Sequence, residues 1–393
     1  MSPSIHSRVI TPLAIGLLSW AGLSLAPAPA SAQEMMTFTA STRIGGPMGG
    51  GFRPDVSRRE LDRYWKLLGL DEMQAELADS LYEGYRTEHE IIADKAQARM
   101  QDLRAEFEET EDIKVFIEDM PKIMQTFGKE SEALTSGFFT DVQSLLSEEQ
   151  AAKWPAVERA RRRIKLLPMG GLAGESVDLF NLADELKLGE PSMDRLRPVL
   201  SQYELELDRA LLERQSSMDD HEEEAGGFRV ITEEGMEKMR EEMAKAHELS
   251  LRIRDLNRRY FRLFAAELSP EEIAAAEERF RNLSYPQVYR DSYSSRVFDA
   301  VNDFEDLTSS QREQIASMRD RYQRDLAIVN RRWADAIDES ESDSDGNSMM
   351  HPGGAIFFGG EDESGPLGEA RSDRRQLDRK TLDNLKAILT EAQ

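Results

Sequence analysis

The residues able to do chemistry in this 393-residue chain are few, and their spacing argues against a reactive site. Beyond the N-terminal stretch the histidines are His89, His221, His247 and His351. None has a second histidine three or four residues away, the spacing that puts two imidazoles on one helix face for a metal. The run Asp219-Asp220-His221-Glu222-Glu223-Glu224 offers oxygen ligands but reads as a solvated acidic stretch. Glu341-Ser342-Asp343-Ser344-Asp345-Gly346 begins as an EF-hand loop begins. Counted from Glu341, however, the twelfth position is Pro352, where a bidentate glutamate is required. There is no Gly-x-Ser-x-Gly, no Gly-x-x-x-x-Gly-Lys and no His-Glu-x-x-His. Carboxylates abound, yet nothing singles out an acid/base pair. The chain has no cysteine, which removes disulfides, thiol nucleophiles and thiolate metal sites. The expectation is a protein with no catalytic, cofactor or metal site.

What remains is charge and apolar surface. Net charge is −25, and −26 without residues 1–32, which hold one arginine and no acid. Such a field repels nucleic acid and anionic lipid and favours basic partners. Against this background Arg159-Ala160-Arg161-Arg162-Arg163-Ile164-Lys165 stands out. Placed before Pro168, it offsets a helix C-terminal dipole or pairs with an acidic neighbour; a lipid or client patch is the alternative. Met218, Met236, Met239 and Met243 read as core, with a flexible binding surface as the other possibility.

The elements that must carry these residues are helices. Apolar residues recur in steps of three and four: Leu77, Leu81, Tyr85, Ile92, Ala96, Met100, Leu103 and Phe107 form one stripe. Further stripes run from Ile113 to Leu145, Leu196 to Leu211, Met239 to Leu263 and Ile315 to Ile337, and no stretch alternates like a strand. The fold class is all-α. Long amphipathic helices with one narrow stripe each cannot bury it alone, so they must pair as helical hairpins, form bundles or dimerise. Breaks fall at Glu108–Asp112, Pro168–Gly171 and Ala225–Gly227, and the Ser-, Gly- and acid-rich stretch 339–368 reads as a disordered insertion. At the other end, Leu13–Ala26 followed by Ala30-x-Ala32 reads as a signal peptide over 1–32, cleaved after Ala32, with a flexible leader over 33–56. That apolar stretch is shorter than the roughly 20 residues of a membrane span, and no later segment is long and apolar enough to be one. The expected location is the periplasm or outside the cell.

The stripes repeat. Leu70, Leu188 and Leu307 stand 118 and 119 residues apart. Eleven residues after them come Leu81, Val199 and Met318, and fifteen after come Tyr85, Tyr203 and Tyr322. A second landmark, Leu146-Ser147, Leu268-Ser269 and Leu389-Thr390, recurs at 122 and 121. Three tandem units with a period of about 120 follow, over 57–168, 175–290 and 291–393. Each landmark spells a helix start. Ser147 with Gln150, Ser269 with Glu272, Thr308 with Gln311, and Thr390 with Gln393 fit a capping box, in which hydroxyl and amide or carboxylate each take one backbone N–H. Asp71 with Gln74 is the same device with a carboxylate cap. Gly189-Glu190-Pro191-Ser192 is its degraded counterpart in the second unit.

A unit that opens with Leu-Thr-x-x-Gln, runs through a long helix and closes with a second such motif resembles the Spy/CpxP family of periplasmic proteins. Leu307–Gln311 with Leu389–Gln393 is the fullest match, and Leu70–Gln74 with Leu146–Gln150 the next. The second unit departs from the pattern at Ser192 and Glu272. The resemblance covers most of 57–393. It implies an ATP-independent chaperone or envelope-stress modulator whose curved helical hairpins cradle unfolded or partner proteins, with self-association possible. A metal-responsive envelope protein and a non-catalytic scaffold are the alternatives.

Overall fold

The computed structural model describes residues 52–110, 113–224, 233–343, 365–390 and 393. All of these belong to one compact unit, Gly45–Gln393, and among them there is no strand. Residues 1–32 and 33–51 of the N-terminal segments, and the break at Ala225–Gly227, lie outside the described residues.

The helices begin where local chemistry can satisfy their free N–H groups. Ser57 opens α1 (Arg58–Leu68) with a reciprocal capping box to Glu60. Gly69 ends α1 in the left-handed region at φ 68, where a Cβ would be strained, and returns its N–H to the Trp65 carbonyl. Then come α2 (Glu72–Thr110), α3 (Ile113–Ser144), the short α4 (Glu148–Ala151) and α5 (Trp154–Leu166), which runs into a 3-10 turn at Leu167–Met169. Next are α6 (Leu179–Leu186), α7 (Glu190–Glu224), α8 (Glu233–Ala266), α9 (Pro270–Ser284) and α10 (Pro286–Tyr289). The chain closes with α11 (Tyr293–Asn302), α12 (Ser309–Asp343) and α13 (Gly365–Ile388).

Three pairs of long helices dominate: α2 lies along α3, α7 along α8 and α12 along α13. Short helices link them. α5 packs on both α1 and α7, α6 on α9, α10 on α12, and α11 on both α12 and α13. The core divides accordingly. One cluster around Leu61, Tyr64, Tyr85, Phe138 and Val142 holds the first pair, and a larger one around Leu179, Leu196, Tyr203, Tyr260 and Phe264 holds the second. A third around Phe298, Ile315 and Leu385 holds the last.

Each pair is also crossed by the chain that precedes it. Tyr82 donates to the Val56 carbonyl at 3.2 Å, Asn257 to the Gly174 and Glu175 carbonyls at 3.0 and 2.8 Å, and Arg374 to the Val288 carbonyl at 3.3 Å. Residues 52–56 are therefore a strap and not the end of a free leader: Phe52 packs on Phe127, 4.7 Å between ring centres, and Val56 is buried.

Two further expectations are corrected. The stretch 339–368 is not wholly an insertion, because 339–343 complete α12 and 365–368 begin α13. Glu341 takes the Ala173 N–H and Leu367 packs with Ile337 and Trp333, which holds both helix ends in place. Residues 344–364 lie outside the described residues. Leu77 and Leu263, assigned to core stripes, are 50% and 47% exposed. Even in a narrow stripe, a residue at the edge, beyond the reach of the one partner helix, is left in solvent.

Candidate functional site

The capping residues do more than start helices. Asp71 accepts the Gln74 N–H at 2.8 Å, and Gln74 Oε1 accepts the Asp71 N–H at 3.1 Å. Ser147 and Gln150 make the same exchange at 3.3 and 3.0 Å. The free amide nitrogens then cross between the helices. Gln74 Nε2 lies 2.8 Å from both the Leu145 carbonyl and Gln150 Oε1, while Gln150 Nε2 lies 3.0 Å from the Gly69 carbonyl. Two capping glutamines thus clasp the base of the α2–α3 pair: Gln74, at the start of α2, satisfies the carbonyl just past α3, and Gln150, at the start of α4, the one just past α1.

The third pair repeats this. Gln311 and Thr308 exchange bonds, Gln311 Nε2 reaches the Ile388 carbonyl and Gln393 Oε1, both at 3.0 Å, and Gln393 Nε2 reaches the Asp306 carbonyl at 3.2 Å. Gln393 Oε1 in turn accepts the Thr390 N–H at 3.1 Å. The second pair substitutes an ionic version. Ser192 donates to Glu272 at 2.9 Å, Glu272 completes a capping box with Ser269, and Arg195 supplies the missing donor to the Glu267 carbonyl at 2.8 Å. Hydrogen bonds from Ser269 and Ser192 hold the Glu272 carboxyl below the usual range.

A second rung lies deeper. Tyr85 meets Thr135 at 3.3 Å, Tyr203 meets Asn257 at 2.9 Å and Tyr322 meets Asp378 at 2.6 Å. Each partner stands twelve residues before the closing cap. Burial pushes all three hydroxyls above the usual phenol range, so they stay neutral; Tyr203 and Tyr322 donate to their partners, while between Tyr85 and Thr135 either hydroxyl can donate. Around them Leu307 is buried, while Leu70, Leu81, Leu188, Val199 and Met318 are half-buried against the clusters.

The basic run of α5 meets the next pair of helices. Arg159 bonds Glu204 at 2.9 Å, Arg162 takes Asp208 with two nitrogens at 2.7 and 2.9 Å, and Arg163, itself buried, bonds Asp178 at 3.1 Å. Arg161 and Arg163 lie over the rings of Phe139 and Phe180, at 3.6 and 4.0 Å. The run is a joint between α5, α6 and α7 and is not free for lipid or client. A cleft of about 280 Å³ beside it is lined by charged side chains such as Arg59, Arg63 and Glu185 together with Ile164, Leu167 and Pro168.

Residues with no signal in the sequence build two further joints. Glu175 is fully buried: it accepts the Gly171 and Leu172 N–H groups at 2.9 and 3.1 Å and pairs with Arg214 at 2.7 Å. A Cβ on Gly170 would stand 2.7 Å from that Glu175 side chain. Near the end of α12, Arg258 and Tyr285 converge on Asp338 at 2.7 and 2.8 Å, and Glu341 takes the Ala173 N–H at 2.9 Å. Burial raises the Glu341 carboxyl to about 6. Its use here is a helix-to-loop contact and not a cation loop. Ser57 with Glu60, and Ser292 capping α11, were visible as Ser-x-x-Glu and Ser-x-x-Ser spacings.

Among the described residues no group of three or more histidines, aspartates or glutamates comes together as a metal site, and no helix is long and apolar enough to cross a membrane. The side chains of His221, Met218, Met236 and Met239 lie outside what is described; Met243 is half-buried. The outer half of α2 and α3 carries a small apolar cluster of its own. There Ala96, Leu103 and Ile123 are buried with half-buried Met100, Met120 and Phe127, and Phe52 is the one member of the cluster from outside the two helices. No protein-family model, curated protein or solved structure matches the chain.

Proposed function

We propose that the chain is an exported, ATP-independent, non-catalytic protein-binding protein, chaperone-like, built as three tandem helical hairpins of about 120 residues in the manner of the Spy/CpxP family. The observation that carries this reading is the outer half of the α2–α3 pair. A two-helix arm with Met100, Met120, Met124 and Phe127 half-buried along its seam offers soft apolar surface that adapts to varied partners. Repetition of the base clasp and the tyrosine rung in three places supports the tandem reading. The net charge of −25, with the one basic run consumed by internal ion pairs, favours partners that are basic or neutral polypeptides.

The test is suppression of aggregation of a reduced or heated client by the purified mature protein, without nucleotide. Suppression at near-stoichiometric ratio is expected, and Met100→Asp with Met120→Asp should weaken it several-fold. No suppression over a range of clients and salt concentrations overturns the reading. A scaffold role is favoured by a different observation: the straps at 52–56, 172–178 and 285–292 cover part of each pair from within the chain.

A further inference from the structure

We propose that His89 and Ser131 form an acid-sensitive latch at the root of the α2–α3 arm, closed while the imidazole is neutral and released when it takes up a second proton. This concerns regulation of the arm, and it rests on the function proposed above only for what the opened seam then does.

The Tyr85–Thr135 contact fixes the register of the two antiparallel helices. One turn further out, four residues after Tyr85 and four before Thr135, stand His89 and Ser131. They are 2% and 3% exposed, and neither His89 Nε2 nor Ser131 Oγ has a hydrogen-bond partner. The imidazole sits among aromatic rings, 6.1 Å from Tyr85 and edge-on to Phe127 at 5.8 Å. At the same distances from the caps, eighteen residues after the opening position and sixteen before the closing one, the second pair has Leu207 and Ile253, both buried. The third has Leu326 and Arg374, and that arginine is bonded to Asn330 and Asp378. Of the three rungs, the first alone has two buried polar groups with unmet capacity at its matching positions.

A neutral imidazole tolerates this seam; an imidazolium brings a second N–H donor and a full charge into a buried seam whose only unmet polar group beside it, among the described residues, is the neutral Ser131 hydroxyl, which cannot offset the lost solvation. The surrounding charges are weak opposition. From the strap, Asp55 and a backbone hydrogen bond to Arg53 favour the protonated form, but burial outweighs them and holds His89 below the ordinary imidazole range. Glu130 and Glu132, which flank Ser131 on α3, and Arg86, Glu88 and Glu90 on α2 are exposed to solvent. Once the arm opens, the imidazole regains its free pKa of about 6.5. The open state then binds the extra proton, so the arm is secure above that pH and loses protection as pH falls below it. Past the latch the apolar cluster among the described residues is the small one of Ala96, Leu103 and Ile123, and Pro121 inside α3 denies the helix one backbone bond.

Hydrogen exchange of the full mature chain, corrected for intrinsic rates, reads the arm directly. Between pH 7.5 and pH 5, opening of residues 90–127 should increase by up to about thirtyfold, the limit set by a free imidazole of pKa about 6.5. Protection around Leu207 and Ile253 should not follow it. His89→Leu, which copies Leu207, and His89→Gln, a neutral polar control, should both abolish the pH dependence. A pH-independent arm in the natural chain overturns the latch, as does unchanged dependence in both variants. If acid opens the arm and aggregation suppression does not rise with it, the latch stands and the arm's assignment as a docking surface falls. If suppression is present while the arm ignores pH, the latch alone is wrong.

Discussion

Single residues here act through hydrogen bonds that each do two jobs. Gln74 closes the first turn of α2 with its oxygen and ties the end of α3 with its nitrogen, and Gln150 closes the first turn of α4 with its oxygen and ties Gly69, past the end of α1, with its nitrogen. Gln74→Ala should therefore cost about 1–3 kcal/mol in urea denaturation, more than a surface cap alone, because it also strands a carbonyl and a partner amide. Combined with Gln150→Ala, the loss should fall short of the sum by at least about 0.5 kcal/mol, the coupling of groups in one network. Gly170 is a different case, since space and not backbone angle demands glycine. Gly170→Ala would drive a methyl into Glu175, which is locked by two N–H groups and Arg214. A loss of about 1–3 kcal/mol is expected from such overpacking, and a neutral result in thermal unfolding would show that the loop can shift.

Elements are joined by charge where they do not share an apolar face. α5 leaves the first pair and lies on α7 of the second, and Arg162 with Asp208 is its best-formed contact, two-pronged and partly shielded. Hydrogen bonding to Asp208 raises the Arg162 guanidinium further, in agreement with a real pairing. A double-mutant cycle of Arg162→Ala and Asp208→Ala should give a coupling of about 1 kcal/mol, shrinking in high salt. No coupling would leave α5 to its other ion pairs, Arg159 with Glu204 and Arg163 with Asp178, and to the packing of Val157, Ala160 and Leu166. The same pairing explains why a conspicuous basic stretch in an acidic chain need not be a binding patch.

For the whole molecule, two titratable groups pull in opposite directions. Protonating His89 works against the closed arm, whereas Glu341, raised to about 6 by burial, prefers to be protonated where it packs. The junction of the second and third pairs should therefore keep its full stability below about pH 4.5 and lose it as pH rises through about 6. The size of this effect is on the order of 2 kcal/mol. Glu341→Gln keeps an acceptor for the Ala173 N–H and removes the titration. The difference in Tm between variant and natural chain should grow from pH 4.5 to 6, and a flat difference would dismiss the effect.

Local patterns were legible in the amino-acid sequence and distant ones were not. Steps of three and four between apolar residues determined the helical class, because that period is set within two turns of backbone. The Ser/Thr-x-x-Gln spelling marked helix starts for the same reason: donor and acceptor are three residues apart. Tertiary structure alone decided which amide crosses to which carbonyl: Gln74 meets Gln150 across 76 residues and Ala173 meets Glu341 across 168. It also decided that Leu77 and Leu263 face solvent while Glu175 and Arg214 are buried. Periodicity gives the direction in which a side chain points, but burial depends on which other element arrives there, and that partner is written nowhere near the residue it covers.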